Sequence, residues 1–237
     1  MLLNFNQKVP DISIKISDTC IPFESCVKLL GVNIDSMLKF DVHINTLCKR
    51  TARQINALHR VAKYLSQECL INMYHAFIRS NFSYCSPVWH FCSKQSTLKL
   101  EKIHKRALQV VLNNYSSGYN DMLESIKSPS LYVTRLQSIA TEVFKCINDI
   151  NPPFLNDLFK EAPHNYDTRR NMAIQPRVKT TRYGLNTFSY QGSKLWNSIP
   201  DNLQRENSLE NFKFMIKLWE GPECLCGFCT HCSLNNI

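Results

Sequence analysis

Hydrophobic residues alternate with polar ones near the N-terminus of the chain. Ile12, Ile14 and Ile16 are separated by polar neighbours, and residues 17–19 have side chains that favour a turn. Together with a β-rich segment at 27–34, this alternation predicts three short antiparallel strands within residues 1–36.

The hydrophobic spacing becomes helical over residues 37–161. Apolar residues of the first predicted helix recur every three, four or seven positions, at Ile44, Leu47, Ile55, Leu58, Ala62 and Leu65. Ser66 is the predicted N-cap of a second helix that breaks near Pro87. A third helix is predicted over 95–112, and a fourth between Pro129 and Pro152. These helices are expected to form a bundle.

The third part of the chain, residues 162–220, is less regular. We expect 162–200 to be irregular or to contain β-structure, whereas 208–219 has an apolar helical face. Residues 221–237 form a cysteine-rich tail. The predicted fold class is therefore mainly α with a small β portion.

Composition and charge indicate a folded chain with an anionic partner. The chain has 237 residues, of which 44% are hydrophobic, enough to bury a core. Lys and Arg number 28 against 19 Asp and Glu, a formal charge of +9 that favours nucleic acid. The alternative is a basic protein without a polyanionic partner.

Segments for secretion or membrane insertion are not evident in the sequence. No basic n-region precedes an apolar stretch, and no apolar run approaches about 18 residues. The eleven cysteines lack the spacing of a disulfide framework, which indicates a reducing compartment. We therefore predict a cytoplasmic or nuclear location and no membrane partner.

The acidic residues argue against catalysis by this chain alone. None of the 19 carboxylates is adjacent to another in sequence, and no glycine-rich phosphate loop is present. A two-metal polymerase site needs clustered carboxylates that hold two metal ions about 3.5–4 Å apart. We therefore predict no catalytic residue and no catalytic Mg²⁺.

The first predicted helix has a basic face that suits phosphate contact. Its cations are Lys49, Arg50, Arg53, Arg60 and Lys63. No acid lies between Asp41 and Glu68, which favours a phosphate-binding face over an ordinary solvated one. A second basic set on the third helix, Lys99, Lys102, Lys105 and Arg106, is a weaker candidate because Glu101 interrupts it.

The most basic segment lies further along, and its cations are Arg169, Arg170, Arg177, Lys179, Arg182 and Lys194. Tyr166, Tyr183, Phe188 and Tyr190 are interleaved with them, the composition expected where rings stack on bases and guanidinium groups hold phosphates. The alternative is a place in the core. We assign Phe188 to the core and leave Tyr166 and Tyr183 open.

The cysteine-rich tail offers metal ligands. Cys224, Cys226, Cys229, His231 and Cys232 suffice for a tetrahedral zinc site, and the alternative is a set of free thiols. Cys85, His90 and Cys92 lie among aromatic residues, so we assign them to core packing.

Several segments, taken in order, resemble a known family. They are residues 27–35 (Val-Lys-Leu-Leu-Gly-Val-Asn-Ile-Asp), 77–85, 98–111, 135–145, 183–200 and 212–219, followed by the closing cysteines. The series resembles the end of the palm, the thumb and the C-terminal region of reverse transcriptases from non-LTR (LINE-type) retrotransposons, in particular jockey-like elements. The resemblance covers nearly the whole chain.

This resemblance implies a role in gripping nucleic acid. Leu30 and Gly31 correspond to the family's primer grip, residues 37–161 to a thumb that holds template–primer duplex, and 1–36 to a palm remnant. The family's catalytic aspartates lie upstream of residue 1. Two alternatives stay open: the chain completes a polymerase when joined to an upstream palm, or it is an element-derived interaction or regulatory protein.

Overall fold

Helices dominate the computed structural model, which describes residues 14–17, 19–159, 176 and 184–221. Two small antiparallel strand pairs precede them, so the predicted fold class is confirmed. The strands are β1 (Ile14–Ile16), β2 (Thr19–Ile21), β3 (Cys26–Leu29) and β4 (Val32–Asp35). No helix in the described part of the chain is both long and apolar enough to span a membrane.

The helices follow the strands along the chain. Those of the first half are α1 (Asp41–Ala62), α2 (Gln67–Met73), α3 (Ser80–Ser83), α4 (Ser86–Trp89) and α5 (Lys94–Leu112), with a π-helix (Tyr74–Arg79) between α2 and α3. Those of the second half are α6 (Tyr119–Ser125), α7 (Leu131–Ile147), α8 (Pro153–Asn156), α9 (Phe188–Ser198), α10 (Asp201–Gln204) and α11 (Leu209–Leu218).

The chain forms two compact units. Unit 1 comprises residues 1–85 and 92–111, and unit 2 comprises residues 86–91 and 112–237. The six residues of the 86–91 segment thus belong to unit 2, to which they contribute α4. The residues on either side of this segment belong to unit 1.

The β-rich segment at 27–34 is a hairpin, so residues 14–35 contain four short strands where three are predicted. β3 pairs with β4 in the register Leu29 to Val32, and Leu30 and Gly31 form the turn between them. Both turn residues have positive φ, 45° and 86°, as in the two-residue turns that match strand twist. Leucine rarely adopts this conformation, so the backbone at Leu30 is strained.

Unit 1 packs around one face of α1. Ile44, Leu47, Ile55 and Leu58 are buried, together with Thr51. The predicted cap at Ser66 is confirmed: its side chain accepts a hydrogen bond from the backbone N–H of Cys69.

The predicted break near Pro87 occurs slightly earlier. The helical segment ends at Ser83, and Cys85 has a positive φ of 49°. Pro87 then lies inside α4, at a position where its missing N–H removes no helical hydrogen bond. Proline here therefore follows the interruption and does not create it.

Unit 2 is built around α7, whose Phe144 and Val143 are fully buried. Phe144 stacks on Phe212 of α11 at 4.2 Å between ring centroids, and Trp196 of α9 lies 6.0 Å from Phe212. The three helices α7, α9 and α11 thus share one aromatic core.

The expectation of irregular or β-structure up to residue 200 is wrong for 188–198, which form α9. Thr187 caps this helix by accepting a hydrogen bond from the N–H of Tyr190. Position 192 of this helix requires a glycine. A Cβ there would lie only 2.9 Å from side-chain atoms of Phe159 and Val143. Phe188 packs against the core, as predicted.

Candidate nucleic-acid interface

The basic residues of α1 lie on its exposed side. Lys49, Arg50, Arg53, Arg60 and Lys63 are all exposed. The buried apolar residues of α1 occupy the opposite face, as the helical spacing predicts. Lys49 and Lys63 are separated by fourteen residues, which corresponds to about 21 Å along a helix at about 1.5 Å per residue.

A second basic row lies on α5, directly beside α1. Lys99, Lys102 and Arg106 are exposed and recur at intervals of three and four, which places them on one helix face. The Lys99 ammonium donates to Asn45 Oδ1 at 3.0 Å, and the Arg106 guanidinium donates to Asn56 Oδ1 at 2.7 Å. The hydrogen bonds therefore place the α5 row against the α1 row.

The two helices run in the same direction. Ser96 Oγ donates to Asp41 Oδ1 at 2.7 Å near the start of both helices, and the Lys99–Asn45 and Arg106–Asn56 pairs follow in order. Residue numbers thus increase together along both helices. The surface therefore has two lines of positive charge that run in the same direction and are linked by side-chain hydrogen bonds.

The acid that interrupts the α5 row in sequence does not interrupt it on the surface. Glu101 is only 2% exposed and lies near Tyr74, whose pKa burial raises to about 12, with the Glu101 charge acting in the same direction. The reason for ranking the α5 row below the α1 row therefore does not apply to the folded protein.

Positive charge is concentrated in unit 1. Its described residues include fourteen Lys and Arg against five Asp and Glu, whereas the described residues of unit 2 include seven against nine. In the described part of the chain, a polyanion is therefore attracted to unit 1 rather than to unit 2.

Sequence reasoning missed the polar partners within the α1 row. Asn45 and Asn56 lie on the basic face, since Asn45, Lys49, Arg53, Asn56, Arg60 and Lys63 recur at intervals of four, four, three, four and three. The same spacing that predicts the cations could have found both asparagines. Their role as acceptors for α5 depends on a tertiary contact that the spacing does not contain.

One exposed aromatic side chain lies at the end of the α1 row. Tyr64 is 76% exposed, and the Lys63 ammonium lies 4.8 Å from the centroid of its ring. An exposed ring beside cations is a surface on which an unpaired base could stack. Tyr64 lies outside the later basic segment, where the sequence predicts ring stacking.

The Leu30–Gly31 turn is held in place by unit 1. Tyr84 Oη donates to the carbonyl oxygen of Leu30 at 2.6 Å, while the Leu30 side chain is 81% exposed. The other end of the hairpin joins α1, because the Asp35 carboxylate accepts hydrogen bonds from the N–H groups of Met37, Lys39 and Phe40. The turn and the basic rows thus belong to one unit.

His43 makes a second link between this hairpin and α1. Its Nδ1 accepts a hydrogen bond from the Asn33 N–H at 3.3 Å. Burial lowers the pKa of His43, so the ring is neutral near pH 7 and its nitrogen is able to accept.

The remaining predicted site residues lie outside the described ranges. These are the basic residues Arg169, Arg170, Arg177, Lys179 and Arg182, and the metal ligands Cys224, Cys226, Cys229, His231 and Cys232. Among the residues that the structure does describe, no group of three or more His, Cys, Asp or Glu could hold a metal ion. The zinc site stays a prediction.

His90 and Trp89, which we assigned to the core, are buried in unit 2. Cys85 and Cys92 are half-buried, and Cys92 Sγ lies 3.6 Å from Thr97 Oγ1. Comparison of the chain with known protein families, curated proteins and solved structures gives no match.

Proposed function

We propose that this chain binds RNA, DNA or their hybrid through phosphate contacts on the parallel basic rows of α1 and α5. It would do so as the noncatalytic thumb and C-terminal segment of a retrotransposon RNA-directed DNA polymerase. The observation that supports the proposal most is the side-by-side arrangement of the two rows, with Lys99 and Arg106 hydrogen-bonded to asparagines of α1.

Binding on this surface would be insensitive to base sequence. The α1 row consists of cations on a helix face that fits a phosphate backbone, and contacts with phosphates carry no sequence information. Two lines of like charge also repel each other in the free protein, and a bound polyanion removes that repulsion. The salt dependence of affinity is therefore the measurement that reports on this surface most directly.

We expect Arg53→Ala combined with Arg60→Ala to weaken binding and to flatten its salt dependence. On duplex DNA each phosphate contact contributes about 0.9 to the slope of log affinity against log salt, so losing two contacts lowers the slope by roughly two. The fold should survive, because both side chains are exposed. Fluorescence titrations with duplex, hybrid and single strands at several salt concentrations measure the slope.

A second pair tests the α5 row. Lys99→Ala with Arg106→Ala should lower the slope by a similar amount if both rows bind phosphate. The matched control is Lys213→Ala with Lys217→Ala, which removes two exposed cations from α11 of unit 2 and should leave the slope unchanged. A folded Arg53/Arg60 variant with the wild-type slope would show that the α1 face is ordinary solvated surface. The phosphate contacts would then have to be sought at Arg169, Arg170, Arg177 and Arg182.

The exposed apolar residues of the strand pairs favour a second candidate function. In it, the chain is part of a complete polymerase and is joined to an upstream palm. Ile16, Leu29 and Leu30 are 66%, 57% and 81% exposed, an unusual amount of apolar surface for strands that face solvent. Joining the chain to a palm segment should bury these residues. Hydrogen exchange of β1 to β4, with and without the palm, tests this candidate.

A further inference from the structure

An arginine is buried in unit 2, and none of the described residues forms a hydrogen bond with its guanidinium. Arg135, on α7, is 1% exposed. Its guanidinium carbon lies 5.4 Å from the ring centroid of Trp89 and 5.7 Å from that of Tyr132. Neither Nε nor either terminal nitrogen has a hydrogen-bond partner among the residues that the structure describes.

A second buried polar atom near it, on His90, also has no hydrogen bond to the part of the chain that the structure describes. His90 is 8% exposed, and its Nδ1 has no hydrogen bond within the described residues. Its ring lies 5.4 Å from that of Tyr132. The His90 ring and the Arg135 guanidinium thus lie against the same tyrosine ring. Burial first, and the Arg135 charge second, hold the pKa of His90 well below its usual range.

An unpaired buried guanidinium is unfavourable. Arginine keeps its charge throughout the working pH range, so it cannot escape desolvation by losing a proton. Burying a charge is tolerated when it is paired and hydrogen-bonded, and the faces of Trp89 and Tyr132 supply attraction but accept none of its N–H hydrogen bonds. Within the described residues, no acceptor therefore meets the charged donors of the Arg135 guanidinium.

A water molecule would supply only part of what is missing. Water can accept hydrogen bonds from the guanidinium, but it brings no negative charge. A carboxylate or phosphate oxygen pair supplies both, because the planar guanidinium fork binds such an edge through two parallel N–H donors. His90 Nδ1 can add a third donor when it carries the ring proton.

We propose that the cluster of Trp89, His90, Tyr132 and Arg135 is a binding site for a small oxyanion. The two rings flank the guanidinium and exclude water, and the guanidinium and His90 hold the oxygen atoms. This site lies in unit 2 and does not rest on the proposed nucleic-acid contact of unit 1.

The test is the stability of unit 2 as a function of anion concentration. All three tryptophans of the chain, Trp89, Trp196 and Trp219, lie in unit 2, so tryptophan fluorescence during thermal unfolding reports on that unit. Raising inorganic phosphate from about 1 to about 100 mM, with NaCl keeping the ionic strength constant, should raise the Tm of the full chain by about 5 °C. A parallel series with acetate distinguishes a carboxylate edge from a phosphate.

Variants assign the effect to this cluster. Arg135→Met should lose the shift, to within about 1 °C, because an apolar side chain removes the charge and all the donors. Arg135→Lys keeps the charge but not the fork, and should lose most of the shift while keeping the fold. The control Arg205→Met, an exposed arginine of the same unit, and the Arg53→Ala/Arg60→Ala variant should both shift as the wild type does.

Two results would overturn the proposal. One is a wild-type chain whose Tm does not move and that releases no heat on calorimetric titration with either phosphate or acetate. The other is a folded Arg135→Lys or Arg135→Met variant that shifts as much as the wild type, since the anion would then bind elsewhere.

Discussion

Phe212→Ala is expected to lower the free energy of unfolding of unit 2 by about 3–5 kcal/mol, as for other large-to-small substitutions of a fully buried phenylalanine. Phe212 is 0% exposed, stacks on Phe144 and lies against Trp196. Its removal leaves a cavity where α7, α9 and α11 meet. Urea denaturation followed by tryptophan fluorescence gives the value for unit 2.

Phe214→Ala is the matched control. Phe214 lies two residues further along the same helix but is 68% exposed, so the same substitution should change the free energy of unfolding by less than about 0.5 kcal/mol. Comparable losses for the two variants would mean that α11 does not pack through Phe212.

Unit 1 is expected to lose stability as the pH falls from 6.5 towards 3. His104 is fully buried and hydrogen-bonded to Tyr74 Oη, and burial lowers its pKa to about 3 from 6.5. Between these values the unfolded chain binds a proton at this histidine and the folded chain does not, so unfolding is favoured as pH falls. The full difference is on the order of 5 kcal/mol, and no further loss from this group occurs below the folded pKa.

His104→Gln should remove this part of the pH dependence. Glutamine can accept the Tyr74 hydrogen bond and does not titrate, so the variant is expected to be less stable at pH 7 but to have a flatter profile between pH 6.5 and 4. Circular dichroism in urea detects the transition of unit 1, and tryptophan fluorescence of the same samples identifies the transition of unit 2. An unaltered slope in the variant would show that another group controls acid unfolding.

The sequence predicts the fold where local chemistry decides it. The cap at Ser66 and the apolar stripe of α1 depend only on residues a few positions apart, and both are confirmed. The sequence predicts three strands where the structure has four, because the turn inside 27–34 places a leucine at positive φ. Leucine rarely adopts this conformation, so the residue type gives no signal for a turn. Tyr84, 54 residues away, holds the Leu30 carbonyl, and no local pattern contains that hydrogen bond.

Helix α9, in the second half of the chain, also depends on a long-range contact that the local sequence does not show. A central glycine argues against a helix at 188–198, since glycine in a helix interior costs about 1 kcal/mol relative to alanine. The glycine is required by the approach of Phe159 and Val143, which is a tertiary contact.

One part of the candidate interface can be predicted from the sequence and another part cannot. Helix geometry alone predicts the α1 row, because exposed cations three or four residues apart share a face. The α5 row was ranked lower because sequence shows Glu101 among its cations and does not show that this carboxylate is buried. Arg135 is a third case: within an amphipathic pattern it resembles a surface cation, although it is 1% exposed.

Residues 86–91 belong to unit 2 although unit 1 continues after them, and this affects the order in which the chain folds during synthesis. Trp89 leaves the ribosome about forty residues before α7, the helix against which it is buried. Synthesis proceeds at about 5–20 residues per second, so Trp89 stays without its packing partners on α7 for roughly two to eight seconds. During the same interval α5 emerges and can complete unit 1. A nascent chain therefore has a folded first unit with an apolar loop still exposed, which is the stage at which a chaperone would be needed most.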